Sequence, residues 1–386
     1  MHIDHELMKQ SNRSRILNMV YQKKTVTRQA ISRRLNISLP TVVSNVADMI
    51  AEGLLEEAGT ATSTGGRKPV IIKFVSSSRY AIGIELKASG GKMILTDLSS
   101  NILDEESFKW NEFVIEDVMK KTGQLTKEIL ERNNIPEQKL LGIGFAIPGV
   151  IDEETLYLEN APNLGLKNID FNRYQSLFPA QIYMENEANT AAYAEAILTD
   201  GNHHSNLIFL SITEGIGTGI VIQNQLYKGC HKKAGEFGHM RISMGKIKCS
   251  CGRYGCWEAF ASERALKENY KTMTGQNADI ETIMQKIQDQ EPLAQEVLKT
   301  YTSYLVLGIE NIILALSPQS IVIGGRISQY EETIMPLIES QLAEEKTVYD
   351  ISETKVVCSK LGKNASILGA SLLPIHDLFY FEKIAI

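Results

Sequence analysis

Apolar residues recur at helical spacing three times within the first 75 residues, and each run is bounded by a capping signal. Ile16, Leu17 and Val20 share one face of a helix over 12–20. Val26-Thr27 interrupts it, and the Thr27 hydroxyl suits the cap of a second helix over 28–35 with Ala30, Ile31 and Leu35 inward. Asn36 suits the end of that helix. Ser38 caps a third, where Pro40 is tolerated because first-turn N–H groups have no helical partner. This helix runs to about residue 52 and presents Val42, Val43, Val46, Met49 and Ile50 as a broad apolar face. Gly53 stops it, and two strand-like runs follow over 54–57 and 70–74, joined by a loop carrying Gly65-Gly66-Arg67-Lys68.

Three helices, a strand, a basic loop and a strand are the order of a winged helix-turn-helix. The short polar side chains Ser38, Thr41, Ser44 and Asn45 at the start of the third helix are placed to meet base edges in a major groove. Arg67 and Lys68 put positive charge on the wing, where a narrow minor groove attracts it.

From residue 79 the pattern changes to short buried strands alternating with helices, and it does so twice. Strand-like runs at 80–85 and 92–98, a helix near 116–133 and a strand at 141–146 make the first set. Strands at 206–212 and 219–222, a helix at 293–317 and a strand at 320–323 before Gly324-Gly325 make the second. The reading is an α/β protein: a DNA-binding domain over 1–76, then a two-lobed effector domain over 77–386. Lobe 1 spans about 77–195 plus a C-terminal helix at about 366–386, and lobe 2 about 196–365, with a cleft between them.

The charge divides at the same place. Residues 1–75 hold 11 Lys and Arg against 6 Asp and Glu, a net +5, whereas the whole chain of 386 residues carries −6. A basic head on an acidic body fits a head that meets phosphate backbone and a body that does not. No stretch approaches the roughly 18 uncharged apolar residues of a membrane span, and the N-terminus lacks the apolar run of a signal peptide, so no membrane partner and a cytoplasmic location are expected.

Three of the five cysteines, Cys249, Cys251 and Cys256, fall within eight residues, with His239 just upstream. Three thiolates and an imidazole satisfy tetrahedral Zn2+, and a closed shell of four protein ligands makes the metal structural.

Several motifs then carry a resemblance. Ile212-Thr213-Glu214-Gly215-Ile216-Gly217-Thr218-Gly219, Gly229 and Gly235-Glu236-Phe237-Gly238-His239 resemble the signature of the ROK family of repressors, open reading frames and sugar kinases. Gly142-Ile143-Gly144-Phe145-Ala146-Ile147-Pro148-Gly149-Val150, Glu185-Asn186-Glu187-Ala188-Asn189 and the cysteine-rich run 249–258 support it. With the head included, the resemblance covers nearly the whole chain. It implies an actin-like, ribonuclease-H-type body. It also implies a sugar site lined by Asn163, Asn186, Glu187, Glu236, His239 and Glu258.

Two departures separate the chain from the kinases of that family. They open with a strand ending in Asp-x-Gly-Gly-Thr, and this chain has Gly83-Ile84-Glu85-Leu86-Lys87-Ala88-Ser89, whose side chains fill a phosphate cradle. They use Asp as base where this chain has Glu187, a displacement of about an ångström that spoils in-line geometry. The resemblance therefore implies a catalytically inactive, sugar-responsive repressor. Within the family the composite is most similar to the xylose repressors, with other sugars, a partner protein and an ATP-dependent kinase as alternatives. A homodimer or tetramer bound to an inverted-repeat operator is expected.

Overall fold

The computed structural model describes residues 5–60, 69–199, 205–344 and 351–379. Its head is built as the capping signals require. Helices run over His5–Lys23, Arg28–Leu35 and Leu39–Ala51. The Thr27 hydroxyl accepts from the Ala30 N–H, Asn36 ends the second helix in the left-handed region at φ 53°, and the Ser38 hydroxyl accepts from the Thr41 N–H. The first helix is longer than its apolar spacing indicates, because Ile16, Leu17, Met19 and Val20, which reach the core, all lie in its second half and its first half is mostly polar.

The head's sheet has three strands, with Val70–Phe74 central between Thr25–Thr27 and Leu55–Thr60. The segment at Val26-Thr27, which reads as an interruption, is thus an edge strand in antiparallel register, Val26 against Ile72. Val43 is not inward: at 44% exposed it points to solvent.

The body contains two five-stranded sheets on one plan. In the first, Ile182–Asn186, Leu140–Ile147 and Tyr80–Lys87 are parallel, and Gly90–Asp97 and Ile102–Lys109 continue antiparallel. In the second, Lys355–Cys358, Ser320–Gly325 and Leu207–Ile212 are parallel, and Ile216–Ile222 and Gln225–Leu226 continue antiparallel. A small antiparallel sheet, Val150–Asp152, Tyr157–Ala161 and Leu166–Asp170, extends the first lobe. The long helix Pro292–Leu316 centres the second lobe's core, and Gly308 lets the Trp257 ring lie flush on it: a Cβ there would stand 1.9 Å from the indole.

The C-terminal helix Ala365–Phe379 lies directly on the first sheet. Its backbone crosses the neighbouring strands at Gly83 and Gly144, where a Cβ would meet the Ile367 and Ala370 carbonyl oxygens at 2.3 and 1.9 Å. The far end of the same helix enters the head, whose core cluster includes Ile375 and Phe379 as well as Ala81 and Leu98. One hydrophobic cluster thus spans the junction of head and body. Among the described residues no helix is long and apolar enough to cross a membrane.

Candidate functional site

On the head, the third helix leaves Leu39, Pro40, Val43, Ser44 and Ala47 outward, one face at helical spacing on its first three turns. Ser38 is exposed but occupied as the cap, its hydroxyl also 2.7 Å from that of Thr41. Asn45 corrects an expectation. It is 4% exposed and its amide donates to the Thr41 carbonyl at 2.8 Å, so it faces the core and not a groove. The sequence reading exchanged it with Val43 because a polar and an apolar residue two positions apart straddle the helix boundary between inside and outside. Arg67 and Lys68 lie outside the described residues.

In the body, the helix Glu187–Leu198 begins at the expected sugar site. Asn186 is its N-cap: the Asn186 side-chain oxygen accepts from the Ala188 and Asn189 N–H groups, and its amide donates to the Gly149 carbonyl at 2.9 Å. One amide hydrogen remains for a ligand. Glu187, next in sequence, holds Oε2 buried with no hydrogen-bond partner. Burial pushes its pKa up to about 7, helped by the negative charges of Glu85 and Glu236 and opposed by Lys87. An occluded, unpartnered carboxyl oxygen is costly unless something supplies a donor.

Three of the other expected residues stand in sequence across the same region. Glu236 lies 3.9 Å from His239 Nε2, and His239 Nδ1 lies 3.9 Å from Glu258 Oε1. Glu258 is buried, accepting from the Ser250 hydroxyl at 2.6 Å with the Arg264 guanidinium at 3.6 Å. Its neighbour Trp257 anchors it, donating from the indole to the Tyr304 carbonyl at 2.8 Å. Asn163 is exposed on the turn Pro162–Leu164, and among the described residues no hydrogen bond joins it to the other five.

The ligand atoms of His239, Cys249, Cys251 and Cys256 all lie within 4.8 Å of one another. A tetrahedron with Zn–S near 2.3 Å and Zn–N near 2.0–2.1 Å has edges of about 3.8 Å between thiolates and about 3.6 Å from thiolate to imidazole. Cys251 and Cys256 are 3.7 Å apart at sulfur, and Cys249 Sγ is 3.6 Å from His239 Nδ1. The donor set fits the cation. Burial pushes the Cys251 thiol up, but the backbone N–H and guanidinium of Arg253 and the two neighbouring cysteines outweigh it and bring it down to about 6. Cys249 is pushed the other way by burial and by the Glu258 carboxylate, which accepts a hydrogen bond from its S–H at 2.9 Å.

Two features escaped sequence reasoning. Strand Tyr80–Lys87 ends in a two-residue turn, Ala88-Ser89, and the Trp110 indole donates to the Ala88 carbonyl at 2.7 Å. Lys87 folds back onto Glu85 at 2.6 Å. The second is a set of lysines at 228–233 facing acids at 152–159, whose like-charged runs are visible in sequence but not their opposition.

Comparison with known proteins agrees with this architecture. The ROK family profile matches residues 81–376. The xylose repressor of Bacillus spizizenii is 30% identical across 98% of this chain and 99% of its own length. A crystal structure of a ROK family transcriptional regulator, a homologue of the Escherichia coli MLC protein, superposes with a TM-score of 0.83 at 23% identity, over 97% of this chain and 98% of its own. The ROK family glucokinase of Streptomyces griseus, solved with glucose and AMPPNP, has a TM-score of 0.67 at 21% identity, over 76% of this chain and 98% of its own.

Proposed function

This chain belongs to the ROK family, and from that premise we propose that it is a transcriptional repressor of sugar-utilisation genes, released from its operator when a sugar binds between the lobes. The observation that carries the reading is the pairing of an outward helix face on a basic head with a buried, unpartnered Glu187 oxygen at a helix start in the body. Sugar hydroxyls are the donors that such an oxygen lacks. The full-length likeness to a xylose repressor makes xylose the first effector to test.

Glu187, Glu236 and Glu258 accept from hydroxyls in this reading, Asn186 offers one donor, and His239, with Nδ1 turned to the cysteines, offers a second through its Nε2–H. Asn163 joins them only by motion of its turn. Thr41 and Ser44 meet base edges, together with the outward Val43, whose methyls suit a thymine; Arg67 and Lys68 meet phosphate or the minor groove. Zn2+ held by His239, Cys249, Cys251 and Cys256 supplies structure: it fixes the loop from which Glu236 and Glu258 project.

The chain is read as a sensor that transfers no phosphate. The Ala88-Ser89 turn, pinned by Trp110 and flanked by the Lys87–Glu85 pair, stands where a kinase of the family has its glycine cradle. With the turn filled by side chains and the Lys87 ammonium paired to Glu85, no open cradle is left to stabilise charge developing on a transferred phosphoryl group. Release follows if closure over the sugar moves the two heads of a dimer off the spacing of an inverted-repeat operator. Isothermal calorimetry with xylose and glucose tests the binding step. Saturable heat with one of them, lost in Glu187→Ala and Glu258→Ala, is the expected result.

A further inference from the structure

The cleft is bridged on one side by opposite charges, each sign confined to one lobe. The second-lobe loop after Gln225–Leu226 presents Lys228, Lys232 and Lys233. Opposite stand Glu153 at the turn of the small sheet, Glu159 on its middle strand, and Glu185 on the edge strand of the first sheet. Lys228 bonds Glu153 and lies 3.0 Å from Glu185 Oε2. Lys232 is 2.8 Å from Glu153 and Lys233 2.8 Å from Glu159.

The innermost of these pairs are sheltered. The side chains of Lys228 and Glu185 are 19% and 4% exposed. The Lys233 pair is open to solvent and contributes little. The Lys228 pair is therefore the one that water and salt screen least.

The same residues lead directly into the expected sugar site. Glu185 Oε1 accepts from the Asn186 N–H at 2.8 Å and from the Asn189 amide at 3.0 Å, so the carboxylate gripped by Lys228 also seats the helix that starts at Glu187. On the other lobe, the Ala234 N–H closes the loop onto the Lys228 carbonyl at 2.9 Å, and Gly235, Glu236 and His239 follow at once. One loop carries both the lysines and two expected sugar ligands.

We propose that Lys228, gripping Glu153 and Glu185, is a positioning residue: a clasp that holds the lobes closed and sets effector affinity through closure, without touching the sugar. Closure brings Glu236 and Glu187 together whenever the clasp forms. The clasp adds to the preceding functional reading and uses it only in naming the effector.

Hydrogen exchange by mass spectrometry on the full-length protein tests it, comparing wild type, Lys228→Met, Lys228→Arg and the exposed control Lys246→Met. Exchange in peptides covering 150–161 and 227–239 should rise several-fold in Lys228→Met, return towards wild type in Lys228→Arg and stay unchanged in Lys246→Met. Should Lys228→Met fail to fold, Glu153→Gln must give the same rise. Unchanged exchange in both variants overturns the clasp whether or not any sugar binds. Where D-xylose binds the wild type, its Kd should weaken about 10-fold in Lys228→Met, within the range of ordinary site coupling. An unchanged Kd overturns the link to effector affinity. D-xylose failing to bind the wild type counts against the proposed effector and leaves the exchange result standing.

Discussion

The Phe379 ring, on the last turn of the C-terminal helix, lies 5.3 Å from the ring of Tyr21 in the head, tilted at 58°. Phe74 of the head's central strand completes the cluster at 5.8 Å from Phe379, and Asn18 donates to the Phe379 carbonyl at 2.8 Å. One turn earlier, His376 Nδ1 is 2.5 Å from the hydroxyl of Tyr193, which sits on the helix starting at Glu187. Two packed helices therefore run from the expected sugar site to the head. Elements packed at crystal-like density shift as units, which suits them to carry a displacement.

Phe379→Leu keeps the core apolar but loosens this contact. We expect xylose affinity to be retained and the xylose-driven change in operator affinity to shrink several-fold, measured by fluorescence anisotropy on operator DNA. An undiminished response would show that the signal reaches the head by another route.

Glu187 gives a pH signature. Its pKa in the fold, about 7, stands above the ordinary 4.5, so its protonated form is the one the fold favours. The associated stability is present below about pH 4.5 and is lost as pH rises through 7. Glu187→Gln removes the charge and should melt above wild type at pH 8, by up to about 2–3 kcal/mol in stability, and level with it at pH 4.5. Thermal scans at both pH values check this, and a gap that does not grow with pH contradicts it.

The cysteine cluster predicts one Zn2+ per chain by elemental analysis. Chelation or Cys251→Ser should lower the melting temperature by several degrees and abolish sugar binding, because Glu236 and Glu258 lose their support. Full metal content in Cys251→Ser would contradict the ligand assignment.

Val43 and Asn45 separate recognition from folding on the head's third helix. Val43→Asp should weaken operator binding at least about 10-fold with little change in stability, since a bad contact in a groove costs about 1–3 kcal/mol. Asn45→Ala should instead cost about 1 kcal/mol of stability through its lost bond to the Thr41 carbonyl, with affinity nearly kept. Circular dichroism melts beside gel shifts distinguish the two, and reversed effects would restore Asn45 to the interface.

What was legible in the sequence was local. Caps at Thr27 and Ser38, the left-handed Asn36, and the ligand spacing of Cys249, Cys251 and Cys256 each follow from chemistry within a few residues. The doubled strand and helix pattern likewise anticipated two lobes. What was not legible depended on distant partners. The edge strand Thr25–Thr27 exists only because Val70–Phe74 lies beside it. The lysines at 228–233 acquire meaning only from acids 43 to 79 residues earlier. The side of the helix boundary on which Asn45 falls is set by how the third helix packs, which buries it with Val42, Val46 and Met49.

The central claim is that one molecule senses a sugar and lets go of DNA. Anisotropy titration of the full-length protein on the DNA upstream of its own coding sequence, with and without saturating D-xylose, D-glucose and N-acetylglucosamine, measures it directly. The account predicts a Kd in the nanomolar range that rises about 5- to 150-fold with one of these sugars, xylose first. Tight binding that no sugar alters would contradict it.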